Sequence, residues 1–215
     1  MWIAVAFVAI LMVSNTVASK IFQLGMFSFT GAMMIFPFSY ILGDILTEVY
    51  GYAASRKIIW LGFGSMVFMA AAYYLVQLLP PAPFWQNQGA YEAILGIVPR
   101  ITLASVIGYF SGEFCNSYVL SKVKIWMKGK HLWVRTISST IVGEGVDTVL
   151  FALIGFAGIV PWNSMAALII SGYLAKVIIE VVFTPITYII VRKLKQLEGM
   201  DVFDYGVDYN PFKID

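Results

Sequence analysis

Residues 135–158 read RTISSTIVGEGVDTVLFALIGFAG, an apolar run long enough to cross a bilayer, with Glu144 and Asp147 near its middle. Runs of this kind recur along the chain and restrict its fold more than any other feature. About 20 consecutive apolar residues cross the hydrocarbon core as a helix. A helix is required because, away from water, every backbone N–H and C=O must find its partner within the segment. Charged residues make up 12% of the sequence, where a soluble domain carries roughly 25%. The mean hydropathy is +0.83. Both place the chain in the membrane class.

Six runs qualify, giving an all-α polytopic fold: Trp2–Ala18, Phe27–Tyr50, Ile58–Leu79, Ile101–Ser121, Arg135–Gly158 and Trp162–Val191. The second and sixth exceed a perpendicular crossing, and Pro37 and Pro185 are candidate kinks. The first run ends in Val17-Ala18-Ser19 like a cleaved secretion signal, but no basic residue precedes it and five runs follow. Arg56, Lys57, Lys122, Lys124, Lys128, Lys130, Arg135, Arg192, Lys193 and Lys195 fall on one side, and only Lys20 and Arg100 on the other. The positive-inside rule then puts both termini in the cytoplasm, in agreement with an even number of spans. Residues 1–197 form the transport domain in this reading, and 198–215 a cytoplasmic tail that orders where it docks. The outer loop, PPAPFWQNQGAYEAILGIVPR, reads as an interfacial segment anchored by Phe84, Trp85 and Tyr91, or more sharply as a lid.

Several functions are disfavoured. One cysteine, Cys115, rules out an intrachain disulfide. With a single histidine, His131, a zinc or haem site is not expected, and no cofactor is called for. No basic, aromatic-interleaved stretch suggests nucleic-acid binding. No GxxxxGK[ST] loop is present to bind ATP. Without a nucleophile–histidine pair, an intramembrane hydrolase is the weaker reading, and the chain is expected not to be an enzyme.

The acids carry the functional argument. Of twelve Asp and Glu residues, six fall inside the runs: Asp44, Glu48, Glu113, Glu144, Asp147 and Glu180. Each costs roughly 2.5–3.5 kcal/mol at a helix centre unless it is shielded. They must face a protein interior or a wet cavity. Asp44 with Glu48, Glu113 with Asn116, and Glu144 with Asp147 share helix faces. Lys176 and Glu180, four apart, form a ready ion pair, and Lys176 is the one base that clearly offsets the six acids. Three hexads repeat a pattern of glycine, acid, two mostly apolar residues and two polar ones: Gly43–Glu48, Gly112–Ser117 and Gly143–Thr148. A glycine lets a neighbouring helix approach, and the adjacent acid then points into the shared space. Helical rise sets these acids about 12–18 Å from the basic ends of their spans, in one layer near the bilayer midplane. Such a layer suits a ligand rich in N–H donors, a cation or protons. Phe36, Tyr40, Tyr109 and Phe114 could offer a stacking face. A purely structural polar network would not need so many acids over bases.

The sequence resembles the queuosine precursor transporters of the vitamin uptake transporter group. The resemblance is carried by Asn15-Thr16-Val17-Ala18-Ser19-Lys20, by SYILGDILTEVYGY at 39–52, by the SST..GE..DT run at 138–148 and by the tail DVFDYGVDYNPF at 201–212. It implies six transmembrane helices in the inner membrane and uptake of 7-deazaguanine bases that feed queuosine synthesis in tRNA. On that implication Glu144 and Asp147, with Glu113 and Asn116, hold the base. Asp44 and Glu48 complete the pocket or carry protons, Lys176–Glu180 is a gate or brace, and Asn15 and Lys20 guide the approach. The implied partners are a nucleobase substrate and the lipid bilayer. A second copy of the chain, in a homodimer, is a further candidate partner. Alternating access would work as a facilitator or a proton-coupled carrier. The nearest rival is a substrate-capture subunit that needs a separate energising complex.

Overall fold

The computed structural model describes residues 2–24, 27–96, 98–158 and 162–213. Among them the helices are α1 (Trp2–Val17), α2 (Pro37–Tyr50), α3 (Tyr52–Gln77), α4 (Gln88–Leu95), α5 (Val98–Trp126), α6 (Leu132–Phe156) and α7 (Trp162–Glu198). An antiparallel hairpin, β1 (Ile21–Leu24) and β2 (Phe27–Thr30), pairs Ile21 with Thr30 and joins α1 to a 3-10 turn at Gly31–Met34. Among the described residues three helices are long and apolar enough to cross a membrane: α3, α6 over Leu132–Gly155 and α7 over Met165–Glu198. In α5, 29 residues long, Arg100, Glu113, Lys122 and Lys124 interrupt the apolar sequence. The 16 residues of α1 reach about 24 Å.

The second run departs from expectation. Phe27–Tyr50 is not one helix: β2 and the 3-10 turn precede α2, which begins at Pro37. A proline lacks the N–H that the first helical turn leaves unpaired anyway, so Pro37 starts a helix instead of kinking one. Pro185 does lie inside α7.

Helix α2 is the core of the molecule and packs against α1, α3, α5 and α7. Ile41, Ile45 and Val49, one turn apart, face Leu132 and Val191. Leu46, on another face, joins Phe7, Leu11, Ile59, Met66, Tyr109 and Phe114. The outer faces of α3 and α7 expose Leu61, Phe68, Leu75, Ile178, Val182 and Ile189, as lipid-facing surfaces do.

The C-terminal tail is strapped across the α2–α3 junction. Gly51, at φ +83°, turns the chain between these helices, a conformation open to glycine. The turn points the Tyr52 amide at Asp204, whose two oxygens both accept from it at 3.0 Å. Ser121 Oγ also donates to Asp204, at 2.5 Å. Arg56, nearly fully buried, donates to the carbonyls of Asp208 and Asn210 at 2.7 and 2.8 Å. Trp60 Nε1 donates to the Pro211 carbonyl at 2.7 Å. These bonds hold the tail against α3 and α5.

Candidate functional site

The three glycine hexads meet. A methyl group added at Gly112 would lie 2.6 Å from the Tyr40 hydroxyl and 2.8 Å from the Gly143 carbonyl oxygen. One added at Gly143 would lie 2.7 Å from Asn116 Cβ. Only the missing side chains let α5 and α6 come this close. Gly43 of α2 faces Glu113 so tightly that any Cβ would collide with its carboxyl. Glycines on α2, α5 and α6 thus draw the three helices together, and the neighbouring acids share one interior.

Five carboxyls occupy it: Asp44, Glu113, Glu144, Asp147 and Glu180, all at most 3% exposed. Lys176 Nζ lies 2.7 Å from Glu144 Oε2 and 2.6 Å from Asp147 Oδ2, and 5.0 Å from the Phe36 ring centre. This corrects the expected Lys176–Glu180 pair. Four residues separate them, but α6 presents two carboxylates to the same ammonium, and a pair of acceptors outcompetes one. Asn116 Nδ2 donates to Asp44 Oδ1 at 2.6 Å.

Among the described residues several polar atoms in this interior have no hydrogen-bond partner: Asp44 Oδ2, both oxygens of Glu113, Asn116 Oδ1, Glu180 Oε1 and the Tyr40 hydroxyl. Glu113 lies within electrostatic reach of Glu144, Asp147 and Glu180, and Asp44 within reach of Glu113 and Glu180. Among the described residues no His, Cys, Asp and Glu grouping suited to a metal occurs.

Glu48, one turn from Asp44, belongs to a different environment. Arg135 Nε and Nη2 grip its two oxygens at 2.9 and 2.6 Å. Lys195 Nζ lies 2.6 Å from Oε1, and Lys124 Nζ 3.6 Å from the same atom. Asp201 of the tail takes Lys124 at 2.7 Å and Lys195 at 2.9 Å. Burial works against the Asp201 carboxylate, but hydrogen bonds from Lys124 and Lys195 outweigh it and hold the group below its ordinary range. The expectation that Lys176 alone offsets the acids is therefore corrected. Lys124, Arg135 and Lys195, read in the sequence only as markers of the inner side, are the counter-ions of Glu48. Their sequence separation from it is 76 to 147 residues, and no local pattern signals the pairing.

Asn15 Nδ2 turns back onto the Leu11 carbonyl of its own helix, and Lys20 lies exposed beyond α1. Neither bonds to the acids in the described structure. In the segment between α3 and α5, Trp85 packs edge-on to Tyr91, and an apolar hollow of about 340 Å³ lies beside them, apart from the acids.

Long apolar helices closed around a buried, acceptor-rich interior define a helical membrane protein of the transporter class. The chain belongs to the vitamin uptake transporter family, whose profile matches residues 30–190. It is 34% identical over 67% of its length to the "Probable queuosine precursor transporter" of Bacillus subtilis, and the match covers 64% of that protein. It is 25% identical to the "Queuosine precursor transporter" of Escherichia coli, over 85% of this chain and 81% of that one. The "Probable queuosine precursor transporter" of Haemophilus influenzae is 27% identical over 80% of this chain and 74% of its own. These relatives are named as transporters and not as enzymes. No solved structure matches the chain.

Proposed function

We propose that the protein takes up queuosine precursors, 7-deazaguanine bases, across the inner membrane by alternating access around the acid-lined interior. Helices α1, α2, α3, α5, α6 and α7 would make six crossings, with α2 completed by the hairpin and turn before it. Both termini would be cytoplasmic, on the side of the Glu48 cluster and the docked tail, where most of the Lys and Arg residues fall.

The observation that carries this reading is the set of buried acceptors without donors. A buried polar atom without a partner costs about 1–3 kcal/mol, so the interior is built for a guest that supplies N–H groups. A guanine-like base offers a ring N–H beside an amino group. Asp44 Oδ2 with Asn116 Oδ1, and the carboxyls of Glu113 and Glu180, are acceptors of the matching kind. Glu144 and Asp147, held by Lys176, are next to them and would open to an aminomethyl substrate whose ammonium replaces that of Lys176. Lys176 then acts as the gate, and Glu48 with its three cations as the inner brace. Asn15 and Lys20 would guide the approach from outside. The relatives' names support the same substrate class.

The test is reconstitution of the purified chain alone in liposomes. Uptake of labelled 7-cyano-7-deazaguanine, aminomethyl-deazaguanine and queuine is measured, with binding titrated in detergent. Glu144→Gln and Asp147→Asn are expected to weaken binding of aminomethyl-deazaguanine at least tenfold while unfolding at temperatures near that of the parent. Uptake that appears only with an added energising complex would make this a capture subunit. Intact transport with lost stability would reduce the acids to a structural network.

A further inference from the structure

We infer that Glu113 enters the transport cycle as a neutral carboxyl, and that its proton crosses the membrane together with the base. The inference rests on the nucleobase reading and adds to it the coupling ion and the residue that carries it.

The geometry around Glu113 is the basis. Its side chain is fully buried on α5, and neither oxygen receives a hydrogen bond from the described residues. From α2 it meets the Gly43 backbone, with Asp44 and the Tyr40 hydroxyl close by. From α6 it faces Glu144 and Asp147, and from α7 Glu180. On its own helix Tyr109 lies one turn earlier. The single cation in this company, Lys176, is already divided between Glu144 and Asp147. Asp44 at least receives the Asn116 amide. Among the described residues Glu113 therefore has no donor, no counter-ion and four acidic neighbours. An isolated ionised carboxylate in such a place is unaffordable in free energy, and the group neutralises instead.

A neutral carboxyl presents an O–H donor beside a C=O acceptor. The lactam edge of a guanine-type base presents a ring carbonyl beside a ring N–H. The two close into a pair of parallel hydrogen bonds. An ionised Glu113 would instead set lone pairs against the ring carbonyl oxygen. Protonation of Glu113 thus strengthens base binding, and by linkage the base strengthens proton binding to the same degree. Asp44 Oδ2 and Asn116 Oδ1 remain to take the exocyclic amino group. Separation of α2 from α5 at Gly43 would wet the carboxyl, so proton and base load together on one side and leave together on the other.

Two linked measurements test this. In the wild type, the dissociation constant of 7-cyano-7-deazaguanine is expected to rise tenfold per pH unit on the alkaline limb, the signature of one bound proton. In proteoliposomes loaded with a pH-sensitive dye, base uptake should acidify the lumen by one proton per base. Glu113→Gln retains a donor beside an acceptor and should bind with an affinity that no longer varies with pH, and without acidification. Uptake by the wild type without acidification, or an affinity flat in pH, overturns the proposal and leaves the nucleobase reading intact. Persistence of both slope and acidification in Glu113→Gln also overturns the assignment. Absence of base binding at every pH overturns the nucleobase reading and this inference with it. If the variant fails to fold, the two wild-type measurements decide alone.

Discussion

Arg135 holds Glu48 through two parallel bonds, Nε to Oε2 at 2.9 Å and Nη2 to Oε1 at 2.6 Å, with both side chains at most 2% exposed. The fork matches a carboxylate in a way that a lysine cannot. The bond fastens α6 to α2 at the end where the tail docks. Removal of one partner of a lone buried pair destabilises by about 3–5 kcal/mol; here the loss is expected to be smaller, since Lys195 and Lys124 still hold Glu48. Arg135→Ala should lower the thermal unfolding temperature in detergent by several degrees. Arg135→Lys, which keeps the charge and loses the fork, should fall between it and the parent.

Close helix approach predicts a contrast between two neighbouring glycines. Gly143→Ala places a methyl 2.7 Å from Asn116 Cβ and 2.8 Å from the Gly112 carbonyl oxygen. It should cost about 1–3 kcal/mol, as overpacking does. Gly145→Ala meets only Tyr173 Cε2 at 3.6 Å, an ordinary contact, and should be neutral or stabilise the helix by about 0.5–1 kcal/mol. Thermal unfolding of the two variants side by side checks this; equal losses would contradict the packing described here.

The strap depends on Asp204. Asp204→Ala removes the acceptor of the Tyr52 amide and of Ser121 Oγ. The loss should be about 1.5–3 kcal/mol, the range for hydrogen bonds to charged groups. Limited proteolysis should then cut within residues 199–213 at rates well above the parent, while the helices stay intact.

Docking of the tail should also depend on acid. The folded Asp201 carboxyl is held below its ordinary value of ~3.9, so its contribution is complete above that value and is lost as pH falls through the lower folded value. Hydrogen-exchange protection around Val202 is expected to be level from neutral pH to about 4 and to decline below it. Asp201→Asn should start from weaker protection and show a smaller change across that acid window.

Much of this molecule is legible in its sequence. The positions of α3, α5, α6 and α7 follow from apolar run length, and the hexads at Gly43, Gly112 and Gly143 correctly announced close approach beside an acid. Run length also misled, because it joined residues 27–50 into one helix. Hydropathy does not distinguish an apolar strand and turn from a helix, and Pro37 can either kink a helix or begin one. Spacing on α7 offered Glu180 to Lys176, and local geometry allowed it.

What the sequence alone determined was the solvent of this protein and its central problem: apolar helices that carry acids at a depth where water is absent. Composition and period suffice for that, since both are properties of each segment by itself. Only the tertiary structure decided which acids are matched and which are left open. Lys176 chose Glu144 and Asp147, Arg135 and two lysines closed on Glu48, and Glu113 was left against Gly43 without a donor. Those choices depend on how each helix is rotated and how near its neighbours come, and contacts between residues 29 to 147 positions apart leave no trace in local pattern.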